Sequence, residues 1–446
     1  MRKARRAILF LIVLICPALL NAQWARAYGV KGNDEAACVQ QTPEGGFIVA
    51  GVTESSVWIV KLSPSGTILW QNSLDKESVG GNFVQTTRDN GYILTGRTSF
   101  GTIRSALAAW KLDAMGRTRW QTYIIDPDMH FYTSQGGQAV QQTSDGGYVF
   151  AGYQEYRDSQ FETRTEDDLL VCKSDSLGKK RWGYVFGGQD IDHGRSIQET
   201  PDGGFIVAGY TNSFGAGDYD FWVLKLKSGG QLEWGYTYGG KNLDQAHEVR
   251  RTSDGGYIVI GPTKSFGAGD YDIWLLKLNG RGRIQWQKTY GGPKADYGHS
   301  VYPAADGGFI IAGSTSSFGS GGFDCWILKL DSKGSIQWEK TYGGSNHDSA
   351  FSARPLRKGG YVAAGRTASF GAGGFDVLVM KLGKNGNIDA SCGSFVRTSK
   401  ATVLKSGGTA QWQAGEDAQG SSSGLWAIFT IASVVTKGAN TVICKK

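Results

Sequence analysis

The sequence predicts an all-β protein, a seven-bladed β-propeller that is closed by its own N-terminal strand. A unit of about 52 residues is repeated seven times. Each copy contains a turn of the Asp-Gly-Gly type, a lysine inside an apolar run and a tryptophan. Repeats of this length that read as short strands are typical of propeller blades. The tryptophans that mark the repeat are Trp24, Trp70, Trp120, Trp182, Trp234, Trp286 and Trp338.

Each repeat reads as four strands, a to d, joined by hairpins. In the fifth repeat, strand a covers 247–252, strand b 257–261, strand c 272–278 and strand d 283–289, with an Asp-Gly-Gly turn between a and b. Strand b is apolar on both sides, which predicts that it is sandwiched between neighbouring blades. The flat tryptophan of strand d is expected to pack one blade against the next.

A lysine recurs in strand c, where a charge is unusual. Its stem can pack in the sheet while the ammonium group reaches water or a carbonyl oxygen. Because it occurs in every repeat, a structural role is the favoured interpretation. The positions are Lys61, Lys111, Lys173, Lys225, Lys277, Lys329 and Lys381.

The order of the strands predicts how the ring closes. The first tryptophan strand, around Trp24, precedes every strand a, whereas the segment 386–391 after the last strand c has no tryptophan. The N-terminal strand should therefore complete the last blade and leave no open sheet edge. An open solenoid is the alternative.

The N-terminus reads as a signal peptide over residues 1–22. Basic residues precede an apolar run at 7–20 that is too short to span a membrane, although a membrane anchor is the alternative. Cleavage is predicted after Ala22, because a cut after Ala27 would destroy the closing strand. The protein is thus expected to be secreted or in the cell envelope, in a periplasmic or extracellular location, with no membrane span after cleavage.

Removal of the basic signal leaves a nearly neutral chain with scattered charges, which argues against nucleic-acid binding. A monomer is expected. The propeller is assigned to 23–391 and a β-rich tail to 392–446, read as a small C-terminal β appendage. Cys392 and Cys444 bracket this tail, and export would allow them to form a disulfide. A flexible stalk and a sorting signal are alternatives for the tail.

The remaining mature cysteines, Cys38, Cys172 and Cys325, occupy strand positions elsewhere held by Ser, Leu or Ile, and we interpret them as core residues.

Blade 3 departs most from the repeat, and its two connections on the d–a and b–c side are unusual. Both replace short Gly-rich loops with aromatic and charged residues, and insertions on one face of a repeat protein often form the binding side. A solvated loop under no constraint is the alternative. The candidate ligand-binding residues are Asp126, Asp128, His130, Tyr132, Tyr153, Glu155, Tyr156 and Arg157.

The same face is rich in aspartate and histidine in most repeats. The favoured interpretation is that each Asp caps its own turn by accepting backbone N–H groups. A histidine metal site is disfavoured, since the histidines belong to different blades. Calcium is a weaker possibility, and no other cofactor is expected; the candidate calcium ligands are Asp218, Asp220, Asp270 and Asp272.

The segments 202–209 (DGGFIVAG) and 286–292 (WQKTYGG) resemble the repeat of poorly characterised bacterial and archaeal secreted β-propeller proteins. The resemblance covers residues 24 to about 391 and implies a propeller without indicating an activity. The segment 331–338 is similar to the tryptophan docking motif of quinoprotein dehydrogenases, and the double glycines are similar to those of kelch repeats. Both of these similarities are weaker.

No nucleophile elbow, phosphate loop or zinc-protease motif is present in the sequence. The sequence therefore favours an exported binding or scaffold module that recognises a protein or a glycan through its d–a and b–c loop face. The alternative is a hydrolase or lyase that acts on polysaccharide with carboxylates of that face.

Overall fold

The computed structural model describes the propeller and parts of the tail. The described residues are 22–29, 32–53, 56–74, 78–100, 104–124, 134–157, 165–389, 396–398, 402–404, 409–412, 426–429 and 439–444. Strands and turns account for their regular structure, so this part of the chain offers no helix long and apolar enough to cross a membrane. The all-β class predicted from the sequence is confirmed.

The described strands form seven blades of four antiparallel strands, as predicted. An N-terminal strand, β1 (Trp24–Gly29), precedes them. Blade 1 contains β2 (Asp34–Gln41), β3 (Phe47–Thr53), β4 (Ser56–Leu62) and β5 (Ile68–Leu74). Blade 2 contains β6 (Ser78–Thr86), β7 (Tyr92–Phe100), β8 (Arg104–Leu112) and β9 (Thr118–Ile124). Blade 3 contains β10 (Ser134–Gln142), β11 (Tyr148–Arg157), β12 (Thr165–Ser174) and β13 (Lys180–Phe186).

The later blades follow the same order. Blade 4 contains β14 (Asp192–Glu199), β15 (Phe205–Thr211), β16 (Asp220–Leu226) and β17 (Leu232–Gly239). Blade 5 contains β18 (Glu248–Arg251), β19 (Tyr257–Thr263), β20 (Asp272–Leu278) and β21 (Ile284–Gly291). Blade 6 contains β22 (Asp296–Pro303), β23 (Phe309–Thr315), β24 (Asp324–Leu330) and β25 (Ile336–Tyr342). Blade 7 contains β26 (Asp348–Pro355), β27 (Tyr361–Thr367) and β28 (Asp376–Leu382).

The fourth strand of blade 7 is β1, which confirms the predicted closure. It pairs antiparallel with β28, with Trp24 opposite Lys381 and Tyr28 opposite Val377. The Trp24 ring then meets Phe47 of blade 1 at 5.8 Å between centroids. The two ends of the ring are therefore joined by a strand from one end that packs on the other.

A tryptophan contact occurs at every junction between blades. In each case the strand-d tryptophan meets an aromatic ring in strand b of the next blade edge-on, with centroids 5.5 to 6.2 Å apart. Edge-to-face contacts of this kind add to the burial of the rings. The role predicted for these tryptophans is confirmed.

The strand-c lysines of blades 1 to 6 are structural, as predicted, because each pairs with an acidic residue in the turn between strands a and b of its own blade. In blade 3, Lys173 Nζ lies 2.8 Å from Asp145 Oδ2 and donates to the Ser174 carbonyl oxygen at 3.1 Å. A Cβ on Gly147 would come within 2.6 Å of this ammonium, so the second glycine of the turn makes room for it. In blade 7 the acidic residue is replaced by Lys358, and burial lowers the pKa of Lys381.

The described strands of the tail join blades rather than one another. They are β29 (Val396–Thr398), β30 (Thr402–Leu404), β31 (Thr409–Trp412), β32 (Trp426–Phe429) and β33 (Ala439–Cys444). In chain order they pair with the outer strands of blades 6, 5, 4, 2 and 7. The expected β appendage is thus distributed around the rim, where each strand covers an otherwise open sheet edge.

The cysteines of the propeller are buried and free, as predicted for Cys38, Cys172 and Cys325. Burial raises the pKa of each of these thiols. Cys392 lies outside the described residues, and only the backbone of Cys444 is described. The disulfide between them remains a prediction.

Candidate functional site

The d–a and b–c connections lie on one side of the propeller, which we call the loop face. The repeated aspartates cap turns there, as the sequence analysis favoured. At the start of strand a, Asp296 Oδ2 accepts from the Gly292 N–H at 2.7 Å and from the Ser317 hydroxyl at 2.7 Å. At the start of strand c, Asp272 Oδ2 accepts from the Ala268 N–H at 2.7 Å.

The capping aspartates also meet in pairs across blades. A Cβ on Gly239 would collide with the Asp220 carboxylate and lie 3.0 Å from Asp244 Oδ2. Burial raises the pKa of Asp220 to about 6, and the negative charge of Asp244 adds to this rise. The candidate calcium ligands Asp218 and Asp270 are exposed on the same loops, and Asp270 pairs with Lys264 at 3.1 Å.

The structure describes only some of the candidate residues of blade 3. Asp126, Asp128, His130 and Tyr132 lie outside the described residues, and only the backbone of Tyr156 and Arg157 is described. The region 153–157, predicted as loop, is instead part of β11 and pairs with 165–169 of β12. The tyrosines of this segment favour a strand, and the ladder makes the two strands ten residues long and extends the hairpin on the loop face.

Tyr153 lies at the centre of a polar aromatic cluster between blades 3 and 4. Its ring stacks on His193 with centroids 4.4 Å apart. His193 Nε2 lies 2.8 Å from Asp167 Oδ2, and its Nδ1 lies 2.8 Å from the Tyr210 hydroxyl. The tautomer that satisfies both contacts donates from Nε2 to Asp167 and accepts the Tyr210 proton at Nδ1.

Arginines border this cluster on both sides. Arg97 donates to the Tyr153 hydroxyl at 3.4 Å, and the Arg195 guanidinium lies 5.5 Å from the Tyr210 ring centroid. Tyr219 meets Tyr210 edge-on at 5.2 Å. Of the candidate residues with described side chains, Tyr153 therefore joins this cluster. Burial and then the charges of Asp167 and Glu155 raise the pKa of Tyr153, so Glu155 also acts on the cluster.

A second group of aromatic rings spans blades 5 to 7. The ring centroids of Tyr271 and Tyr297 lie 4.9 Å apart, and those of Tyr297 and Phe323 lie 5.7 Å apart. Phe351 meets His299 edge-on at 5.0 Å. The Arg366 guanidinium lies 4.3 Å from the Phe375 ring centroid, and its Nη1 lies 2.9 Å from Glu35 Oε2. Because Glu35 belongs to blade 1, the second group also contacts that blade.

We call these two groups together the mouth, because both lie on the loop face and three of their residues, Arg195, Glu35 and Phe351, also line the central channel. Tyr153, Tyr219, Tyr271, Tyr297, Phe323, Phe351 and Phe375 are all half-buried, so each offers part of a ring to solvent. Burial raises the pKa of Tyr153, Tyr219 and Tyr297, which keeps these phenols neutral. The mouth thus combines flat apolar surfaces with neutral hydroxyl groups and cationic edges.

The channel beneath the mouth is lined by strand a of every blade and contains a cavity of about 370 Å³. In blades 1 to 4 a glutamine of this strand accepts a backbone N–H from the next blade, as Gln141 Oε1 does from Glu199 at 2.6 Å. Three later blades carry Arg250, Tyr302 and Arg354 at this position. Between blades 5 and 6 Glu248 takes over the link, since its Oε2 accepts from the Val301 N–H at 2.7 Å.

These substitutions place a charged cluster in the channel. Glu248 pairs with Arg250 and with Arg354, the latter at 3.0 Å, and both arginines lie over the Tyr302 ring. The nearby arginines lower the pKa of Glu248 against the opposing effect of burial. This cluster was not predicted from the sequence, although the replacement of glutamine in a regular repeat is a visible signal of it.

Two histidines stack in the same channel. His247 and His299 lie parallel with centroids 5.6 Å apart. Burial, assisted by nearby arginines, lowers the pKa of His299 to about 4 and holds that of His247 well below its usual value. Both are therefore neutral at pH 7. Across the described ranges, no three His, Cys, Asp or Glu side chains are grouped so that they could hold a metal ion.

The fold and its channel define the class of protein as a seven-bladed β-propeller. No protein-family model and no curated protein matches the chain. A solved protein of unknown function from Bacteroides caccae is similar over 71% of this chain and 93% of its own, at 14% identity and a TM-score of 0.40. A structure titled as the eukaryotic initiation factor is similar over 72% and 96%, at 8% identity and a TM-score of 0.29.

Proposed function

We propose that this chain is an exported binding module that recognises a glycan at the mouth. The observation that carries the proposal is the set of half-buried aromatic rings on the loop face, next to the central channel. A sugar ring has an apolar face of C–H groups and an edge of hydroxyls, and the mouth offers rings for the first and polar side chains for the second. A protein partner, which the sequence also allowed, is an alternative outcome of the test.

Two proposals accompany this function. We infer export through the signal peptide, with the mature chain beginning at Gln23. We also place the chain with the poorly characterised secreted bacterial and archaeal propellers, on the resemblance of its repeats. A mature N-terminus at Tyr28 would contradict the inferred cleavage, because it would remove most of β1.

The test is binding of residues 23–446 to a broad glycan array, beside a Tyr219→Ala/Tyr271→Ala double variant. These side chains lie in separate aromatic groups of the mouth. Loss of aromatic anchors at a binding surface typically costs at least about 2 kcal/mol, so binding should fall by more than about tenfold. Tyr184→Ala is the control, since Tyr184 is a half-buried tyrosine on an outer strand.

Binding that is lost in the double variant and retained in the control supports the proposal. Equal binding by all three proteins contradicts the mouth as the site. No binding to any glycan contradicts a glycan ligand and directs the search to a protein partner. A variant with the connections 125–133 and 158–164 shortened to the repeat consensus tests the contribution of blade 3.

One observation favours the alternative of a polysaccharide hydrolase or lyase. Asp167, His193 and Tyr210 form a chain of two 2.8 Å hydrogen bonds, an arrangement in which a histidine can accept a tyrosine proton. An enzyme should lose turnover in His193→Ala while it still binds substrate, whereas a pure binding module has no turnover to lose.

A further inference from the structure

The cavity in the central channel adjoins the mouth and shares Arg195, Glu35 and Phe351 with it, but the rest of its lining differs in chemistry. Its lining includes the side chains of Arg195, Arg250 and Arg354, with Glu35 and Glu248 as the carboxylates. At about 370 Å³ it is large enough for a small organic molecule. The seven strands that line it come from the rigid interior of the ring rather than from loops.

The charges of this lining do not balance. Glu248 is shared between Arg250 and Arg354, and Glu35 is paired with Arg366 at the edge of the mouth. Arg195 donates to the neutral Gln138 amide oxygen at 3.2 Å. Three arginines and two glutamates therefore line the cavity, and Glu35 is already paired with Arg366 outside the lining. This leaves an excess of positive charge between walls of low dielectric constant.

Two of the three lining arginines also have a hydrogen-bond donor without a partner in the described structure. The Nε–H groups of Arg195 and Arg354 are buried without a partner in the described structure. Arg354 is otherwise fixed, because its other nitrogens donate to Ser300 Oγ at 2.9 Å and to Glu248 Oε1 at 3.0 Å. A buried donor without a partner costs free energy, and the positive charge of these guanidinium groups favours an anion nearby.

The histidines of the cavity suit a ligand that also has hydroxyl groups. His247 donates from Nδ1 to the Gly298 carbonyl oxygen at 3.0 Å, which leaves Nε2 as an acceptor in the neutral ring. Neutral histidines add no charge to the site. The lining therefore offers guanidinium groups for a carboxylate and an imidazole acceptor for a hydroxyl.

We propose that the central channel binds a small hydroxylated organic acid, of the size of one acidic sugar, through its carboxylate. The guanidinium groups of Arg195, Arg250 and Arg354 supply the positive charge that attracts the carboxylate, and His247 accepts from a ligand hydroxyl. This site adjoins the mouth and does not rest on the glycan proposal. A glycan could fail to bind at the mouth while the channel still takes a free acid.

The experiment is a calorimetric titration of the whole mature protein with three probes. Glucuronate supplies a carboxylate and hydroxyls, glucose supplies the hydroxyls alone, and inorganic phosphate supplies an anion without a sugar ring. We expect glucuronate to bind and glucose not to bind. The affinity for glucuronate should fall as salt is raised, because the attraction is electrostatic.

Arg195→Gln should weaken glucuronate binding by at least about tenfold, since it removes a charged hydrogen-bond donor. Arg181→Gln is the control, because Arg181 is an exposed arginine outside the cavity. If Arg195→Gln fails to fold, the comparison of glucuronate with glucose on the native protein still decides. The proposal is overturned if glucuronate does not bind, if glucose binds equally, if Arg195→Gln binds like the native protein, or if phosphate binds in place of glucuronate.

Discussion

Replacing Asp220 by asparagine should stabilise the protein at neutral pH. The Asp220 carboxylate is buried against Gly239 beside Asp244, and one of its oxygens accepts from the Ala216 N–H at 2.6 Å. Its other oxygen, Oδ1, has no hydrogen-bond partner in the described structure. An asparagine keeps an oxygen for Ala216 and puts an amide donor, rather than a second buried charge, beside Asp244.

The size of the effect follows from the pKa of Asp220, which burial raises from 3.8 to about 6. Because the folded state holds this proton more tightly, stability is lost as the pH rises from about 4 through 6. At about 1.4 kcal/mol per pKa unit, the cost at pH 7 is about 3 kcal/mol. Asparagine cannot ionise, so it should recover much of this cost and raise Tm by several degrees.

The assay is thermal unfolding from pH 4.5 to pH 8 in a buffer with EDTA. Asp218→Asn is the matched control, because Asp218 is exposed in the same loop. We expect the native protein and the control to lose stability as the pH rises, and the Asp220→Asn protein to lose less. If Asp220→Asn is less stable than the native protein at pH 7 and follows the same pH profile, the reasoning about a buried charge is wrong.

Three further predictions concern the closing strand, the lysine pairs and calcium. Trp24→Ala should cost about 3 to 5 kcal/mol in urea unfolding, because the ring is 3% exposed and holds the closure of the propeller, and a cost below about 1 kcal/mol would contradict that role. Asp202→Asn should cost no more than about 1 kcal/mol at pH 7, since its pair with Lys225 is partly exposed. Because that pair lowers the pKa of Asp202 to about 2, the difference should disappear as the pH falls from 4 towards 2, and a constant difference would refute it. If the loop-face aspartates bind calcium, excess calcium should raise Tm above its value in EDTA, and an unchanged Tm would reject that prediction.

The repeated features could be predicted because they depend on local sequence. The four-strand unit, the packing of Trp24 on the next blade and the structural role of Lys173 recur at one spacing, so the repeats support one another. The closure of the ring could be predicted in the same way, because the N-terminus carries one extra tryptophan strand and the last repeat lacks its own strand d.

The site could be predicted only in part, because it depends on contacts between blades. Arg354 and Glu248 are 106 residues apart in the chain, and no local pattern pairs them. Asp220 was considered with its neighbour Asp218, whereas the fold brings it to Asp244 of the next blade. Tyr153 was identified because blade 3 departs from the repeat. Its stacking on His193 could not be predicted, because His193 belongs to blade 4 and the contact forms only when the two blades lie side by side.

The central claim is that the loop-face opening of the channel is the binding site. The most direct test is a crystal structure of the mature protein with the tightest-binding glycan from the array. We predict that electron density for the sugar lies against the half-buried rings of the mouth, in contact with Tyr219 or Tyr271. Density on the outer rim or on the opposite face, with the mouth empty, would contradict the account.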